Sequence, residues 1–179
     1  FRATINVSKR KLIANNHTAT HLLHQALRDV LGKHVEQKGS LVNHKYLRFD
    51  FSHFEKLSSD QITKIEELIS SRIRENITLE ESRNIPLNKA KEQGATMLFG
   101  EKYGEVVRMI KFGQSVELCG GIHVESTSKV GNFIITSESS ISAGVRRIEA
   151  ITSTTADNYI SNKLTTLESA SQLLKNPAN

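Results

Sequence analysis

The chain has one cysteine, two prolines and no tryptophan among its 179 residues. A single cysteine excludes an intrachain disulfide framework. No long apolar run is present and no charged-then-apolar leader opens the chain, so nothing in it is patterned to span or cross a membrane. Aromatics are scarce, with seven Phe and three Tyr, and they do not interleave with basic residues as a stacking platform for single strands requires. There is no glycine-rich phosphate loop, which argues against ATP chemistry in this piece. Internal repeats and low-complexity tracts are absent too. A chain opening on Phe1 reads as a piece of a longer protein.

What remains is an ordinary globular composition, 24% charged and 37% hydrophobic, in a length that supports one domain, or one domain with an appendage. The formal charge of +5 and pI near 9.4 suit a polyanionic partner, although a merely solvated basic surface reads the same way. If nucleic acid binds, backbone contacts and a captured end are expected rather than base stacking.

The stretch from Asn15 to Gly32 organises the rest. Asn is a good N-cap, and Leu22, Leu23, Ala26, Leu27, Val30 and Leu31 recur on one helical face before Gly32 stops the helix. At about 100° per residue, His17, His21, His24 and Arg28 share a narrow stripe beside that face. Histidines at i and i+4 lie one above the other and can chelate one metal ion, though an isolated pair is more often solvated or capping. Thr18 stands where the helical zinc-protease motif needs its Glu, which counts against a protease or general zinc amidohydrolase. Downstream, Glu117-Leu118-Cys119-Gly120-Gly121-Ile122-His123 holds the only cysteine, with two glycines between it and a histidine. Alone, Cys119 reads as an inert buried thiol. Together, His17, His21, Cys119 and His123 make a soft tetrahedral set suited to one zinc ion per chain.

In chain order, Ala3 to Val7 alternates and Lys9-Arg10-Lys11 leads into the helix. Strands are expected at His34–Lys38 and Tyr46–Phe51, the second with Leu47, Phe49 and Phe51 facing one way and Arg48 and Asp50 the other. Ser58 and Gln61 form a capping-box pattern for a helix whose stripe is Ile62, Ile65, Leu68, Ile69 and Ile73. A strand over Ile77–Ser82 and a short helix opened by Pro86 and closed by Gly94 follow. Val106–Phe112 and Ser115–Leu118 read as a hairpin leading to the Cys-Gly-Gly turn. Phe133–Thr136 and Arg147–Ile151 read as strands joined through Ser142-Ala143-Gly144. Ile160, Leu164, Leu167 and Leu174 mark a last helix that packs on the domain or begins a coiled coil, stopping before Pro177.

Six ordered blocks, Asn16–His24, Val35–Val42, Leu47–Ser52, Leu98–Tyr103, Glu117–Gly121 and Ala143–Ala150, together resemble the editing domain of alanyl-tRNA synthetases, over residues 1–153. Residues 154–179 resemble the start of that enzyme's linker to its C-terminal region. The related threonyl enzyme has a domain with the same ligand spacing but lacks the Gln-Lys-Gly-Ser and Ala-Gly-Val-Arg-Arg blocks. Freestanding paralogues that clear mischarged tRNA share the domain.

The resemblance implies an α+β fold with a two-layer mixed or antiparallel sheet and packed helices. It also implies a cytoplasmic enzyme that hydrolyses tRNA(Ala) wrongly charged with serine or glycine, as part of an alanine-tRNA ligase whose ATP-dependent site lies elsewhere. A small alanine pocket cannot strongly exclude glycine or serine, so a second hydrolytic sieve is chemically sensible. Within the blocks, the resemblance implies that Thr20 contacts the serine hydroxyl and Gln37 orients substrate or water. It also places Arg146 and Arg147 where at least one grips the tRNA backbone. Ile122 departs from the family, where threonine is commoner. Four protein ligands saturate a tetrahedral zinc, the signature of a structural site, whereas catalysis needs an open position. A zinc-stabilised tRNA-binding module without activity is therefore the main rival reading.

Overall fold

The computed structural model describes residues 2–97 and 102–174. Helix α1 runs Val7–Leu31 and starts earlier than the pattern suggests. Asn6 is its N-cap, accepting from the Lys9 N–H at 2.9 Å. Asn15 and Asn16 are therefore mid-helix rather than a cap, and Ala3–Val7 forms no strand. The reason is tertiary. Buried Asn16 accepts from the Thr152 hydroxyl at 2.6 Å and donates to the Asn43 carbonyl at 2.8 Å, so its side chain is spent on neighbours and does not compete for its own backbone. The C-terminus falls where expected: Gly32, at φ +116, donates its N–H to the Arg28 carbonyl.

The larger sheet has the order β1-β2-β7-β6, with β1 Gln37–Val42, β2 Leu47–Ser52, β6 Phe133–Ser142 and β7 Val145–Thr152, every neighbour antiparallel. Strand β1 begins three residues later than the expected His34 start, and the hairpin β6–β7 is longer than its two predicted strands. Leu47, Phe49 and Phe51 are fully buried, and the register sets Leu47 opposite Ala150 and Phe49 opposite Ile148, both also fully buried. On the other face the same register sets Asp50 opposite Arg147. Two helices cover the apolar face: α1, through Ala19, Leu22, Leu23, Ala26 and Leu27, and α2 (Ser59–Arg74), through Ile65, Ile69 and Ile73. Each fully buried Leu or Ile among these contributes about 1.5–3 kcal/mol. Helix α2 opens with both halves of the Ser58–Gln61 capping box in place, and Arg72 pairs with Asp29 of α1.

A smaller antiparallel sheet has the order β3-β4-β5, with β3 Glu80–Pro86, β4 Val106–Phe112 and β5 Ser115–Leu118. Both sheets being antiparallel, the fold is α+β without a mixed sheet among the described residues. The short helix α3 (Leu87–Glu92) begins one residue past Pro86, which ends β3 and serves as the cap position. The smaller sheet has its own core of Ala90, Met109 and Leu118. Its role in the site is to deliver β5 against α1, where the Ser115 hydroxyl meets the His21 carbonyl at 3.4 Å.

Helix α4 (Ser153–Leu173) follows β7, and Ala156 is its only buried residue; Leu164, Leu167 and Leu173 are exposed. Part of the Leu98–Tyr103 block, and the segment around Pro177, lie outside the described residues. No described helix is long and apolar enough to cross a membrane.

Candidate metal centre

Two elements built in different parts of the chain meet at the site. One turn of α1 presents His17 and His21, and the loop leaving β5 presents Cys119 and His123. One ligand atom from each residue lies within 4.8 Å of the others. His17 Nε2 and His123 Nε2 are each 3.4 Å from the Cys119 Sγ. Around a tetrahedral zinc, with metal–nitrogen near 2.0 Å and metal–sulfur near 2.3 Å, that edge is about 3.5 Å. The donor set and its spacing therefore fit such an ion.

The outward atoms of the cluster are tied down. His17 hydrogen-bonds the Ile122 backbone. His123 Nδ1 is 3.1 Å from the Thr18 hydroxyl, which also accepts the Val124 N–H at 3.2 Å. His21 Nε2 lies 3.6 Å from Glu117 Oε2, leaving its Nδ1 buried and without a partner. An unspent buried imidazole nitrogen fits a metal ligand, and His24 Nε2, outside the cluster, is unspent in the same way. The Gly121 N–H points at the sulfur from 3.3 Å. Fixing the outer nitrogen fixes the tautomer and aims the inner lone pair.

Burial keeps the imidazoles neutral, the state that binds metal. It pushes His17 down to about 4, reinforced by His21, and it pushes His21 and His123 down as well. Burial pushes Glu117 the other way, but the adjacent His21 and His24 more than offset it and hold the carboxyl below its usual range.

The two glycines of the turn have different tasks. A Cβ on Gly121 would lie 2.0 Å from His17 Cε1, whereas one on Gly120 meets nothing within 4 Å. The expected need for glycine is thus a matter of close approach at one position. Arg108 holds the same turn from beneath. Its Nη1 donates to the carbonyls of Cys119 at 2.9 Å and Gly121 at 2.6 Å, and its Nε donates to Glu81 at 2.6 Å.

The stripe read from α1 divides. His17 and His21 join the cluster, while His24 turns to Glu117 at 3.0 Å and Arg28 donates to the Val35 carbonyl. Thr20 is buried and its hydroxyl donates to the Asn16 carbonyl at 2.8 Å, the ordinary habit of a helical threonine. Gln37 reaches Ser40 at 3.2 Å and lines a hollow of about 160 Å3 with His24 and Arg28. Arg146 and Arg147 each commit a guanidinium fork to one carboxylate, Glu138 and Asp50 respectively. Thr18, Arg108 and the orienting part of Glu117 were not expected from the sequence. Only Glu117 carried a signal, as an acid two residues before a candidate thiolate.

Residues 107–149 match the family described as the threonyl and alanyl tRNA synthetase second additional domain. That stretch contains Cys119 and His123 but not the α1 pair. Over nearly its whole length the chain is similar to a segment of alanine–tRNA ligases: 58% identical over 97% of its residues to that of Cytophaga hutchinsonii, 54% over 98% to that of Christiangramia forsetii and 55% over 100% to that of Porphyromonas gingivalis. The chain spans about a fifth (20%) of the length of each of these relatives.

Proposed function

The chain belongs with the second additional domains of threonyl and alanyl tRNA synthetases, on the alanyl side, and from that premise we propose that it is an editing module that hydrolyses the ester of tRNA(Ala) mischarged with serine or glycine. The observation that carries this reading is the convergence of His17, His21, Cys119 and His123 within 4.8 Å, at the edge of an open cleft of about 490 Å3 that His123 lines.

In this reading His17, His21, Cys119 and His123 hold one zinc ion. When bound, the ion supplies Lewis-acid polarisation of a carbonyl or a lowered water pKa. Thr18, Glu117 and the Ile122 backbone hold the imidazoles in the tautomers that ligation needs. Gly121 lets the turn close on His17, and Arg108 fixes the turn's carbonyls. Thr20 keeps its hydroxyl lone pairs available while donating to Asn16, so it can accept from a serine hydroxyl. Gln37, at the 160 Å3 hollow beside His24, orients substrate or water.

A second reading rests on the four-ligand count. A closed set is the mark of a structural ion, so a zinc-stabilised tRNA-binding module without activity fits the same cluster. Deacylation separates the two. The purified chain should release serine and glycine from the mischarged tRNA, and chelation should abolish release. A chain that binds the tRNA, retains its metal and releases neither amino acid is the second reading and sinks the first.

A further inference from the structure

Two hollows flank the metal cluster and share Lys11, Ala14 and His123. The first, about 490 Å3, is lined also by Arg10, Arg83, Arg108 and Glu81. The second, about 270 Å3, is lined also by Asn15, Glu125 and Lys129. Five cations therefore face two carboxylates around one imidazole of the cluster. Glu81 is engaged by Arg83 and Arg108, whereas Arg10, Lys11 and Lys129 are exposed and make no ion pair among the described residues.

The local placement of these cations works against the helix that bears them. Lys9, Arg10 and Lys11 sit in the opening turns of α1, at the positive end of its dipole, and the first turn holds no acidic residue. A sequence that breaks a local rule without a local compensation points to a functional demand. Lys11 is six residues before His17 on the same helix, about 9 Å along its axis. A second, independent feature is Asn15. It is 1% exposed, it lines the smaller hollow, and its Oδ1 has no hydrogen-bond partner. That oxygen is closed to solvent behind the wall of the hollow; a turn of the Asn15 amide that brings it to the wall lets it accept from a ribose hydroxyl, a group that DNA lacks at the 2′ position.

We infer that this pair of hollows is the track for the ribose-phosphate chain of a single-stranded RNA 3′ end, gripped by Arg10, Lys11 and Lys129 and running to the metal cluster at His123. The inference rests on the tRNA reading above and deepens it by assigning the track. It moves the backbone grip away from Arg146 and Arg147, whose forks are already filled by Glu138 and Asp50.

The test uses uncharged tRNA(Ala) and its acceptor minihelix, so that no ester is cleaved and binding is read alone. Arg10→Gln/Lys11→Gln/Lys129→Gln should weaken binding by roughly 10-fold or more at low salt and make the slope of log K against log salt shallower by about 2, at about 0.7 per single-strand phosphate contact. Arg146→Gln should leave the slope unchanged, and a DNA version of the minihelix should bind wild type more weakly than the RNA. If the triple variant misfolds, Lys11→Gln and Lys129→Gln singly, both at exposed positions, should each remove about 0.7 from the slope. Unchanged slopes in the folded variants, or no binding by wild type at 50 mM salt, would overturn the assignment. Deacylation is scored separately. Wild type that binds through these cations yet releases no amino acid defeats the editing reading and leaves the track standing. Wild type that edits normally with slopes unaltered by the substitutions defeats the track alone.

Discussion

Glu117 and His21 face each other inside the protein, carboxylate Oε2 to imidazole Nε2 at 3.6 Å, with 8% and 3% of the residues exposed. The other oxygen of Glu117 meets His24 Nδ1 at 3.0 Å. One carboxylate thus orients a candidate ligand and ties it to the next histidine along the helix. Glu117→Gln keeps the shape and removes the charge. It should lower metal affinity by about 10- to 100-fold, the usual cost of losing such a partner. Competition with a chromophoric chelator measures this, and an affinity equal to wild type would show that Glu117 serves only the packing of β5.

The turn offers a sharper internal comparison. Gly121→Ala drives a methyl into His17, since the Cβ position is 2.0 Å from its ring, while Gly120→Ala enters open space. The first should reduce metal content at equal chelator by at least 10-fold, by displacing one ligand of four. The second should leave it within twofold of wild type. Elemental analysis of both proteins, purified side by side, checks the pair. Equal losses would mean that the turn, and not the contact with His17, is what the glycines serve.

The anchor beneath the turn has a pH signature. Glu81 is held down to about 2, first by Arg83 and then by Arg108. Its folded pKa is depressed below the ordinary 4.5, so the stability it contributes is fully present above 4.5 and is lost as pH falls from there through about 2. The Glu81 side chain is 21% exposed and its partner Arg83 is largely in solvent, so salt should shrink the effect in part. In metal-free protein, where ligand protonation cannot intrude through metal loss, Glu81→Gln should flatten the acid limb of the stability profile between pH 4.5 and 2 relative to wild type. Identical acid limbs would remove Glu81 from the account of Arg108's placement.

How far the sequence reached can be argued from single residues. Leu47, Phe49 and Phe51 were legible because a strand buried on one face alternates, and Ser58–Gln61 because a capping box is local chemistry. The convergence of His17, His21, Cys119 and His123 was legible because donor type and i,i+4 spacing survive in the one-dimensional string. Asn16 misled for a physical reason: an Asn before an apolar stripe is a cap unless distant partners, here Thr152 and Asn43, claim its side chain. Arg108 and Thr18 left no sequence signal at all. Their roles depend on a carbonyl and an imidazole more than ten residues away in chain position. Arg146 and Arg147 were legible as adjacent cations, but alternation along β7 could not say which carboxylates they meet.

Thr20 gives the last prediction, and the structure makes it a demanding one. Its hydroxyl donates to the Asn16 carbonyl at 2.8 Å and the residue is 4% exposed. The donor is therefore spent within the helix, and what remains for a substrate is acceptor capacity alone. A serine hydroxyl is a donor and can use it; glycine has nothing to offer it, and neither has alanine. Thr20→Val preserves the branched shape and removes the oxygen. If Thr20 reads serine, release from Ser-tRNA should slow by about 10- to 100-fold while Gly-tRNA is hydrolysed nearly as before. If the hydroxyl only closes the helical turn, both substrates should keep wild-type rates, since back-bonding of this kind contributes little to helix stability. If both slow by one factor with metal content unchanged, the hydroxyl supports the register of α1 and hence His17 and His21, and serine is recognised elsewhere. The ratio of the two rates in mutant and wild type, taken with equal metal loading, decides among the three.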